Sequence, residues 1–212
     1  MKIGIIGSGV VAQTLGSGYV AKGHEVLLGT RDTAKLSEWL ENAGDAASIG
    51  SFADAAAFGK IVFLSVSGVA MLSAIELAGV DNFSGKTVID VANPLDFSSG
   101  IPPKFTATVG NSLGEQVQRA LPDARVVKAF NTMASAVMTD PVFGEGAATH
   151  FIAGNDDDAK SEASALIKEF GWEVEDLGGI DQAFFLEAFA SMYVNYAFRT
   201  GHWNMAIKLL KR

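Results

Sequence analysis

The sequence has no cysteine, only 5 prolines among 212 residues, and fewer basic than acidic side chains. Without cysteine, the chain forms no disulfide, thiolate zinc site, iron–sulfur cluster or cysteine nucleophile. The 24 acidic and 16 basic residues give a net charge of -8, which argues against general binding of nucleic acid or of an anionic membrane surface. No apolar run reaches the ~18–20 residues that span a bilayer, and the opening residues resemble a strand rather than a signal peptide. We therefore expect a cytoplasmic protein.

Short apolar runs alternate with segments of helical spacing along most of the chain. The runs are rich in valine and isoleucine and apolar on both faces, as strands covered by helices on each side must be. The predicted strands are residues 2–6, 25–28, 61–66, 87–91, 125–130 and 150–153. The predicted helices are residues 10–21, 33–42, 69–78, 113–120 and 159–170. This alternation predicts an α/β fold with a doubly wound, mostly parallel Rossmann-type sheet.

A glycine motif lies between the first predicted strand and the first predicted helix. It has the pattern G-x-G-x-x-A. Gly7 permits the tight turn, Gly9 lets the backbone approach a pyrophosphate, and Ala12 lets the helix lie close to the strand. The N–H groups at the helix start then face the anion. The predicted dinucleotide-binding residues here are Gly7, Ser8, Gly9, Val10 and Val11.

The end of the second predicted strand distinguishes NADP from NAD. NAD-binding proteins place an acid there, against the adenosine ribose hydroxyl, whereas this strand ends in Thr30 and Arg31. A hydroxyl and a guanidinium suit a 2′-phosphate, because the hydroxyl donates one hydrogen bond and the guanidinium forks to phosphate oxygens. We interpret Asp32 as the cap of the next helix and Lys35 as a further positive charge. The pattern favours NADP; the alternative for Arg31 is a solvated surface arginine.

The remaining strand ends predict the nicotinamide side of the cleft, because ligands in open α/β sheets bind outside the carboxyl ends of the strands. Neutral hydrogen-bonding groups dominate these ends. They supply the other candidate cofactor-binding residues, which are Ser65, Val66, Ser67, Asn93, Pro94 and Asn131. The alternative is that each polar side chain caps the turn that follows it.

No strong acid or base stands at these strand ends, although reduction of a ketone or imine usually needs a proton donor beside the hydride acceptor. The titratable candidates are Asp90, Lys128, His24, His150 and His202. Asp90 and Lys128 precede the strand ends, so packing or pairing explains them at least as well. We therefore predict no catalytic residue and no metal ligand, and we favour a flavin or deazaflavin acceptor that needs no acid from the protein.

The character of the sequence changes after Gly179. Residues 182–198 are nearly all apolar or aromatic, but the run is too short and too interrupted for a membrane helix. We expect it to pack on the sheet domain, on a second copy of the chain, or on both, and to be followed by a last amphipathic turn. The prediction is an NADP-binding Rossmann domain at 1–178 and a C-terminal helical segment at 179–212, which closes the acceptor pocket and contacts a second subunit.

Five segments of the sequence carry a family resemblance. They are Gly-Ser-Gly-Val-Val, Gly-Thr-Arg-Asp, Val-Ile-Asp-Val-Ala-Asn-Pro-Leu, Val-Val-Lys-Ala-Phe-Asn-Thr and Gly-His-Trp-Asn-Met-Ala-Ile-Lys-Leu-Leu. Over nearly the whole chain these segments resemble the 8-hydroxy-5-deazaflavin:NADPH oxidoreductase family. The stretch Val-Lys-Ala-Phe-Asn-Thr is also similar to the NADPH domain of the six-transmembrane metalloreductases.

The resemblance implies a homodimer that transfers a hydride between NADP(H) and a small flavin-like molecule. That acceptor is the 8-hydroxy-5-deazaflavin coenzyme, or else FMN or FAD, because Ser67 and Gly68 stand where archaeal members have proline and tryptophan. The candidate acceptor-binding residues are Thr132, Met133, Met192, Tyr196, His202 and Trp203.

Two other functions remain open from the sequence. A small-substrate reductase of the β-hydroxyacid dehydrogenase or pyrroline-carboxylate reductase type shares the N-terminal fold. It needs a larger helical domain than the ~35 residues after Gly179 provide, unless a dimer partner completes it. A non-catalytic NADPH sensor would bind NADPH and change conformation or oligomeric state without oxidising it.

Overall fold

The chain folds around one eight-stranded sheet, seen in a computed structural model that describes residues 1–144 and 146–212. The strands are β1 (Lys2–Ile6), β2 (Glu25–Gly29), β3 (Ala47–Gly50), β4 (Ile61–Leu64), β5 (Thr87–Asp90), β6 (Leu95–Asp96), β7 (Lys104–Phe105), β8 (Arg125–Lys128), β9 (Val142–Phe143), β10 (Gly146–Ala147), β11 (Thr149–Gly154) and β12 (Glu173–Asp176). The α-helices are α1 (Val10–Ala21), α2 (Ser37–Ala43), α3 (Phe52–Phe58), α4 (Met71–Ala78), α5 (Leu113–Ala120), α6 (Ser135–Met138), α7 (Asp157–Lys168) and α8 (Ala183–Thr200).

The strand order across the main sheet is β12-β11-β8-β5-β4-β1-β2-β3. The strands from β8 to β3 are parallel, and β11 pairs with β8 in the antiparallel sense. From β1 the chain moves to β2 on one side, and it later returns to β4 on the other. Ligands in doubly wound sheets bind at such a reversal. The predicted doubly wound, mostly parallel sheet is confirmed.

Helices cover both faces of this sheet. Successive strand residues point to opposite faces, so Ile5 packs into a core cluster with Tyr19, while Ile6 packs into a second cluster with Leu113. The first cluster lies under α1, α2 and α7, and the second under α3, α4 and α5. Because strands covered on both faces are apolar throughout, their sequences show continuous apolar runs rather than alternation.

The prediction missed β3, α3 and β12. Residues 47–50 and 173–176 form the two edge strands of the sheet, and neither contains the continuous apolar run by which the other strands were predicted. The start of α3 did have a signal in the sequence, a capping box between Ser51 and Asp54. The Asp54 N–H donates to Ser51 Oγ at 3.1 Å, and the Ser51 N–H donates to Asp54 Oδ2 at 2.8 Å.

The C-terminal residues do not form the predicted amphipathic turn. Apart from residue 182, the predicted apolar run lies within the long helix α8, but residues 201–212 contain no helix. The Thr149 N–H donates to the carbonyl oxygen of Ile207 at 2.7 Å, and the Leu209 N–H donates to Thr149 Oγ1 at 3.0 Å. These two hydrogen bonds to Thr149 of β11, some sixty positions earlier in the chain, therefore attach the end of the chain to the sheet. No helix in the described part of the chain is long and apolar enough to cross a membrane.

Candidate functional site

The turn between β1 and α1 requires glycine at position 7. Gly7 has a φ of +140°, and a Cβ built there would lie 2.1 Å from the carbonyl oxygen of Ser65. Both the backbone angle and the close approach exclude a side chain. The Gly7 N–H donates to the carbonyl oxygen of Gly29 at 2.9 Å. The turn is therefore fixed where β1, β2 and β4 end together.

Gly9 leaves the start of α1 open. It is the N-cap residue of α1, and a Cβ there would meet no atom of the described residues within 4 Å. None of the described side chains caps the helix, and its first turn carries no acid. The first turn of an α-helix has N–H groups without helical partners and a partial positive charge. It therefore offers the donors and the space that a pyrophosphate needs, and the predicted coenzyme fits.

A cleft of about 260 Å³, here called the glycine-turn cleft, extends from this turn. It carries two exposed cations, Arg31 and Lys35, where the chain leaves β2. The lining residues are Gly7, Ser8, Gly9, Thr30, Arg31, Asp32, Lys35, Phe52, Ser65, Val66, Ser67, Ala70, Ser73, Ala74 and Leu77. The sequence had no local signal for the contribution of α3 and α4, because their approach to the cleft depends on the packing of both helices on the sheet.

Thr30 orders the bend that carries these cations. Its hydroxyl donates to the carbonyl oxygen of Asp32 and accepts from the Asp32 N–H, both at 3.2 Å. The Asp32 carboxylate accepts from the Ala34 N–H at 3.2 Å and so caps the short 3-10 turn Thr33–Leu36. The predicted cap is confirmed, and Thr30 holds the backbone in addition to lining the cleft.

Asn93 and Asn131, which follow β5 and β8, form a side-chain pair. Asn131 Nδ2 donates to Asn93 Oδ1 at 3.0 Å, and Asn93 Nδ2 donates to the carbonyl oxygen of Asn131 at 2.8 Å. The backbone after Ser67 packs on this pair, since a Cβ on Gly68 would lie 2.3 Å from the Asn93 carbonyl oxygen. The pair therefore lies beside the inner end of the glycine-turn cleft. Pro94 belongs to the same turn, whereas Val10 is exposed on α1 and Val11 is half-buried there, outside the lining.

A second cavity, here called the α8 cavity, begins at the next residue, Thr132. It is almost entirely apolar and aromatic. Its lining residues are Thr132, Phe189, Met192, Tyr193, Tyr196, Met205, Ala206 and Ile207. The Tyr193 hydroxyl donates to the carbonyl oxygen of Trp203 at 2.8 Å, and burial raises the pKa of Tyr193 to about 12. This phenol is thus a poor acid at neutral pH.

The structure brings some of the predicted acceptor-binding residues together and separates others. Thr132, Met192 and Tyr196 line the α8 cavity. Met133 is buried in the core instead, and His202 is exposed outside the lining. Trp203 packs edge-on against Phe198, with ring centroids 5.1 Å apart.

Most of the residues that line the α8 cavity were not predicted from the sequence. Phe189, Tyr193 and Tyr196 recur at the three- and four-residue spacing of one helix face, which was the available signal. Residues 205–207 had none, because only their pairing with β11 brings them to the cavity.

Lys128 is the centre of a fully buried ion network. Its Nζ lies 2.9 Å from Asp90 Oδ2 and 2.9 Å from Glu187 Oε1, and it donates to the carbonyl oxygen of Ala92 at 2.6 Å. Burial lowers the pKa of Lys128, but the charges and hydrogen bonds of the two carboxylates outweigh burial and hold that pKa above its usual value. The Glu187 carboxylate also accepts the Leu113 N–H, at 2.9 Å, at the start of α5. The network is a tether between α8 and the sheet.

The three histidines lie apart from one another. His24 Nε2 is 2.8 Å from Glu169 Oε2, at the end of the sheet opposite the cleft. His202 is exposed after α8, whereas His150 is fully buried on β11. Burial lowers the pKa of His150 to about 3. None of the three side chains lines either cavity in the described part of the chain.

Comparison with known proteins agrees with this geometry. A family model described as NADP oxidoreductase coenzyme F420-dependent matches residues 2–94. An F420-dependent NADP reductase of Methanocaldococcus jannaschii is 29% identical over 209 residues, which cover 92% of this chain and 91% of that protein. The metalloreductase STEAP3 of Rattus norvegicus is 27% identical over 188 residues, but the chain spans only 36% of the length of that protein.

Solved structures extend the similarity to the whole chain. A candidate F420-dependent NADP reductase from Arthrobacter sp. FB24 is 37% identical, covers 100% of both chains and superposes with a TM-score of 0.92. An imine reductase of Streptomyces aurantiacus has a TM-score of 0.69 but only 16% identity, which shows a shared fold alone. The chain therefore belongs to the coenzyme F420-dependent NADP oxidoreductase family and is an NADP-dependent oxidoreductase.

Proposed function

We propose that the chain transfers a hydride between NADP(H) in the glycine-turn cleft and a flavin-like acceptor in the α8 cavity. The acceptor of first choice is the 8-hydroxy-5-deazaflavin coenzyme, with FMN or FAD as alternatives. The observation that carries the proposal is the succession of a polar cleft, the Asn93–Asn131 pair and an apolar cavity that starts at Thr132. When bound, the nicotinamide coenzyme supplies the hydride; the protein supplies binding and orientation.

The choice of NADP is supported by the charges at one end of the cleft. Arg31 and Lys35 are both exposed and line the cleft after the bend held by Thr30. The neighbouring carboxylate of Asp32 is engaged in its cap. A guanidinium and an ammonium in this position suit the extra phosphate of NADP rather than the bare ribose hydroxyl of NAD.

The nicotinamide end is proposed at the inner part of the cleft. Ser65 Oγ and Asn131 Oδ1 are buried polar atoms without a hydrogen-bond partner among the described residues. Buried polar groups are normally paired, so these two atoms suit a ligand with a polar amide group. A carboxamide offers both a donor and an acceptor.

The flavin-like nature of the acceptor is supported by the chemistry of the α8 cavity. Its described wall holds no carboxylate, histidine or lysine, and the Tyr193 hydroxyl is engaged with a carbonyl oxygen. A flat aromatic acceptor that takes its proton from solvent requires no enzymatic acid, whereas ketone or imine reduction usually does. Met192 and Tyr196 supply surfaces for stacking against such a ring.

We also propose a homodimer through α8. The helix leaves several large apolar side chains exposed, and those at positions 185, 192 and 196 share one face through their seven- and four-residue spacing. These are Phe185 (57% exposed), Met192 (58%), Tyr196 (43%) and Phe198 (37%). Exposed apolar patches mark interaction surfaces. Sedimentation velocity is expected to give twice the chain mass, and a monomer at micromolar concentration would contradict this part of the proposal.

The test is a stopped-flow and steady-state screen of NADPH and NADH against the deazaflavin coenzyme, FMN, FAD and riboflavin. We expect NADPH to be oxidised by at least one of these acceptors, with a strong preference over NADH. Tight NADPH binding with no turnover across the whole panel would contradict the proposal and favour a sensor.

A pair of variants locates the acceptor. Tyr196→Ala is expected to raise the KM for the acceptor without changing the Kd for NADPH. Leu72→Ala, on α4, is the matched control, because Leu72 is 44% exposed against 43% for Tyr196 and lies in neither lining. An equal effect of the two variants would place the acceptor elsewhere.

A further inference from the structure

Phe130 has a left-handed backbone where the chain leaves β8. Its φ is +56°, and it is the one non-glycine residue of the described chain with a positive φ. A bulky residue rarely adopts this conformation, which persists only where the surroundings impose it. Because Asn131 comes next, the bend at Phe130 decides where the asparagine pair lies.

The sheet does not supply a partner for the Phe130 N–H. The antiparallel pairing of β8 with β11 ends at Lys128, opposite Ala153. The last contact with β5 is the Ala129 N–H, which donates to the Asp90 carbonyl oxygen at 3.1 Å. Neither the pairing with β5 nor that with β11 extends to Phe130 among the described residues, so its buried N–H would otherwise remain unpaired.

The His150 side chain takes the place of that missing partner. Its Nε2 accepts the Phe130 N–H at 2.8 Å, and both residues are fully buried. Its ring also meets the Phe130 ring edge-on, with centroids 4.5 Å apart. One side chain thus satisfies the backbone donor and packs the aromatic ring of the same residue.

Burial keeps the imidazole in the state that can accept. A neutral imidazole with an accepting Nε2 carries its proton on Nδ1. Nδ1 has no hydrogen-bond partner among the described residues. Of the two ring nitrogens, only Nε2 therefore makes a hydrogen bond among the described residues. This indicates that the role of the His150 side chain is to accept the Phe130 N–H.

We propose that His150 is a positioning residue for hydride transfer: it holds Phe130 left-handed and thereby sets Asn131 against Asn93 between the two cavities. The inference rests on the proposed function, which assigns those cavities to coenzyme and acceptor. Asn93 is fixed separately, because Lys128 Nζ donates to the carbonyl oxygen of Ala92 at 2.6 Å. His150 therefore controls the Asn131 half of the junction.

The first test compares two substitutions of His150. His150→Phe keeps an aromatic ring but removes the acceptor, and His150→Gln restores an acceptor oxygen near the position of Nε2. We expect His150→Phe to lower kcat about ten- to hundredfold, as small misplacements of reacting groups do, and His150→Gln to recover most of it. The Kd for 2′,5′-ADP, which reports only the far end of the cleft, is expected to stay unchanged.

Two further measurements distinguish a positioning role of His150 from a general loss of structure. Amide hydrogen exchange of Phe130, followed by NMR, is expected to accelerate in His150→Phe and to remain slow in His150→Gln. The stereospecificity of hydride transfer, measured with NADPH deuterated on one face at C4, is expected to fall in His150→Phe alone. If His150→Phe does not fold, His150→Asn is the second variant, because its shorter amide falls short of the Phe130 N–H.

Trp172→Phe is the matched control. Its ring packs on His150 with centroids 5.3 Å apart, and its Nε1 donates to the Met138 carbonyl oxygen at 2.8 Å. The substitution loosens the same part of the core but leaves the His150–Phe130 bond, so kcat is expected to stay near that of the wild type. An unchanged kcat in His150→Phe, or an equal loss in Trp172→Phe, would overturn the inference.

The proposed function and this inference fail in different ways. If none of the tested acceptors is reduced by NADPH in the presence of the wild-type protein, the proposed function fails. If the wild type is active and His150→Phe is equally active and stereospecific, only the inference fails. Unchanged exchange of the Phe130 amide in His150→Phe would remove its structural basis without any measurement of activity.

Discussion

The glycine-turn cleft and the α8 cavity are built in opposite ways. The core of the cleft is a single turn, residues 7–9, with the cations at 31 and 35 close by on the neighbouring strand end. The α8 cavity joins Thr132, one face of a C-terminal helix and residues 205–207. The first site depends on local backbone geometry, whereas the second depends on how distant segments pack. Substitutions are therefore expected to act differently in the two regions.

The largest expected effect on stability comes from the buried ion network that joins α8 to the sheet. In Lys128→Met, the buried carboxylates of Asp90 and Glu187 lose their shared cation. Removing one partner of a buried ion network costs about 3–5 kcal/mol, and urea unfolding should show a loss of that size. The control is Lys211→Met, since Lys211 pairs with Glu175 but is 63% exposed; exposed pairs contribute roughly 0–1 kcal/mol. Equal losses would mean that the tether adds nothing.

Two glycines of one turn provide the next comparison. Gly7→Ala is expected to lower the free energy of unfolding by about 1–3 kcal/mol from backbone strain alone, and the contact with Ser65 adds to this. Gly9→Ala has room in the protein, so its stability should change by less than ~0.5 kcal/mol. The added methyl group would nevertheless occupy the approach proposed for the pyrophosphate. Thermal unfolding and NADPH titration check both, and normal NADPH binding by Gly9→Ala would argue against the proposed cradle.

A smaller and more selective effect is expected at Arg31. Loss of a charge-assisted contact to the 2′-phosphate should weaken NADPH binding by about 1.5–3 kcal/mol, roughly ten- to hundredfold in Kd, and leave NADH binding unchanged. Titration of Arg31→Ala with both nucleotides measures this. Arg119→Ala, an exposed arginine on α5 outside the cleft, controls for net charge. A similar loss for NADH would refute the role in NADP recognition.

The effect that is smallest near neutral pH, and that grows as the pH falls, comes from the titration of His150. Burial lowers the pKa of His150 from 6.5 to about 3 in the folded chain, so between these values the unfolded chain binds a proton that the folded chain does not. The His150 contribution to stability is present above pH 6.5 and is lost as the pH falls towards 3, by about 1.4 kcal/mol per pH unit. Urea unfolding of the wild type and of His150→Gln measures the difference. Parallel pH curves for the two proteins would show that His150 is not buried in neutral form.

Parts of this fold were predictable because their causes are local. The buried strands show continuous apolar runs, and the turn at Gly7 shows its glycines, so the parallel sheet and the turn between β1 and α1 followed from neighbouring residues. The edge strands β3 and β12 did not, because an edge strand is held by one neighbour and needs no apolar run. The paired state of Asp90 and Lys128 was one of two interpretations, but their third partner, Glu187, comes from α8.

By itself, the amino-acid sequence determined the class of the sheet, the glycine turn and the basic residues that follow β2. Each of these depends on steric limits or charges within a few residues. Only the tertiary structure decided the apolar cavity beside α8, the attachment of the C-terminal residues to β11, and the hydrogen bond from Phe130 to His150. Those features join segments far apart in the chain, and no local preference specifies which distant surface will meet them.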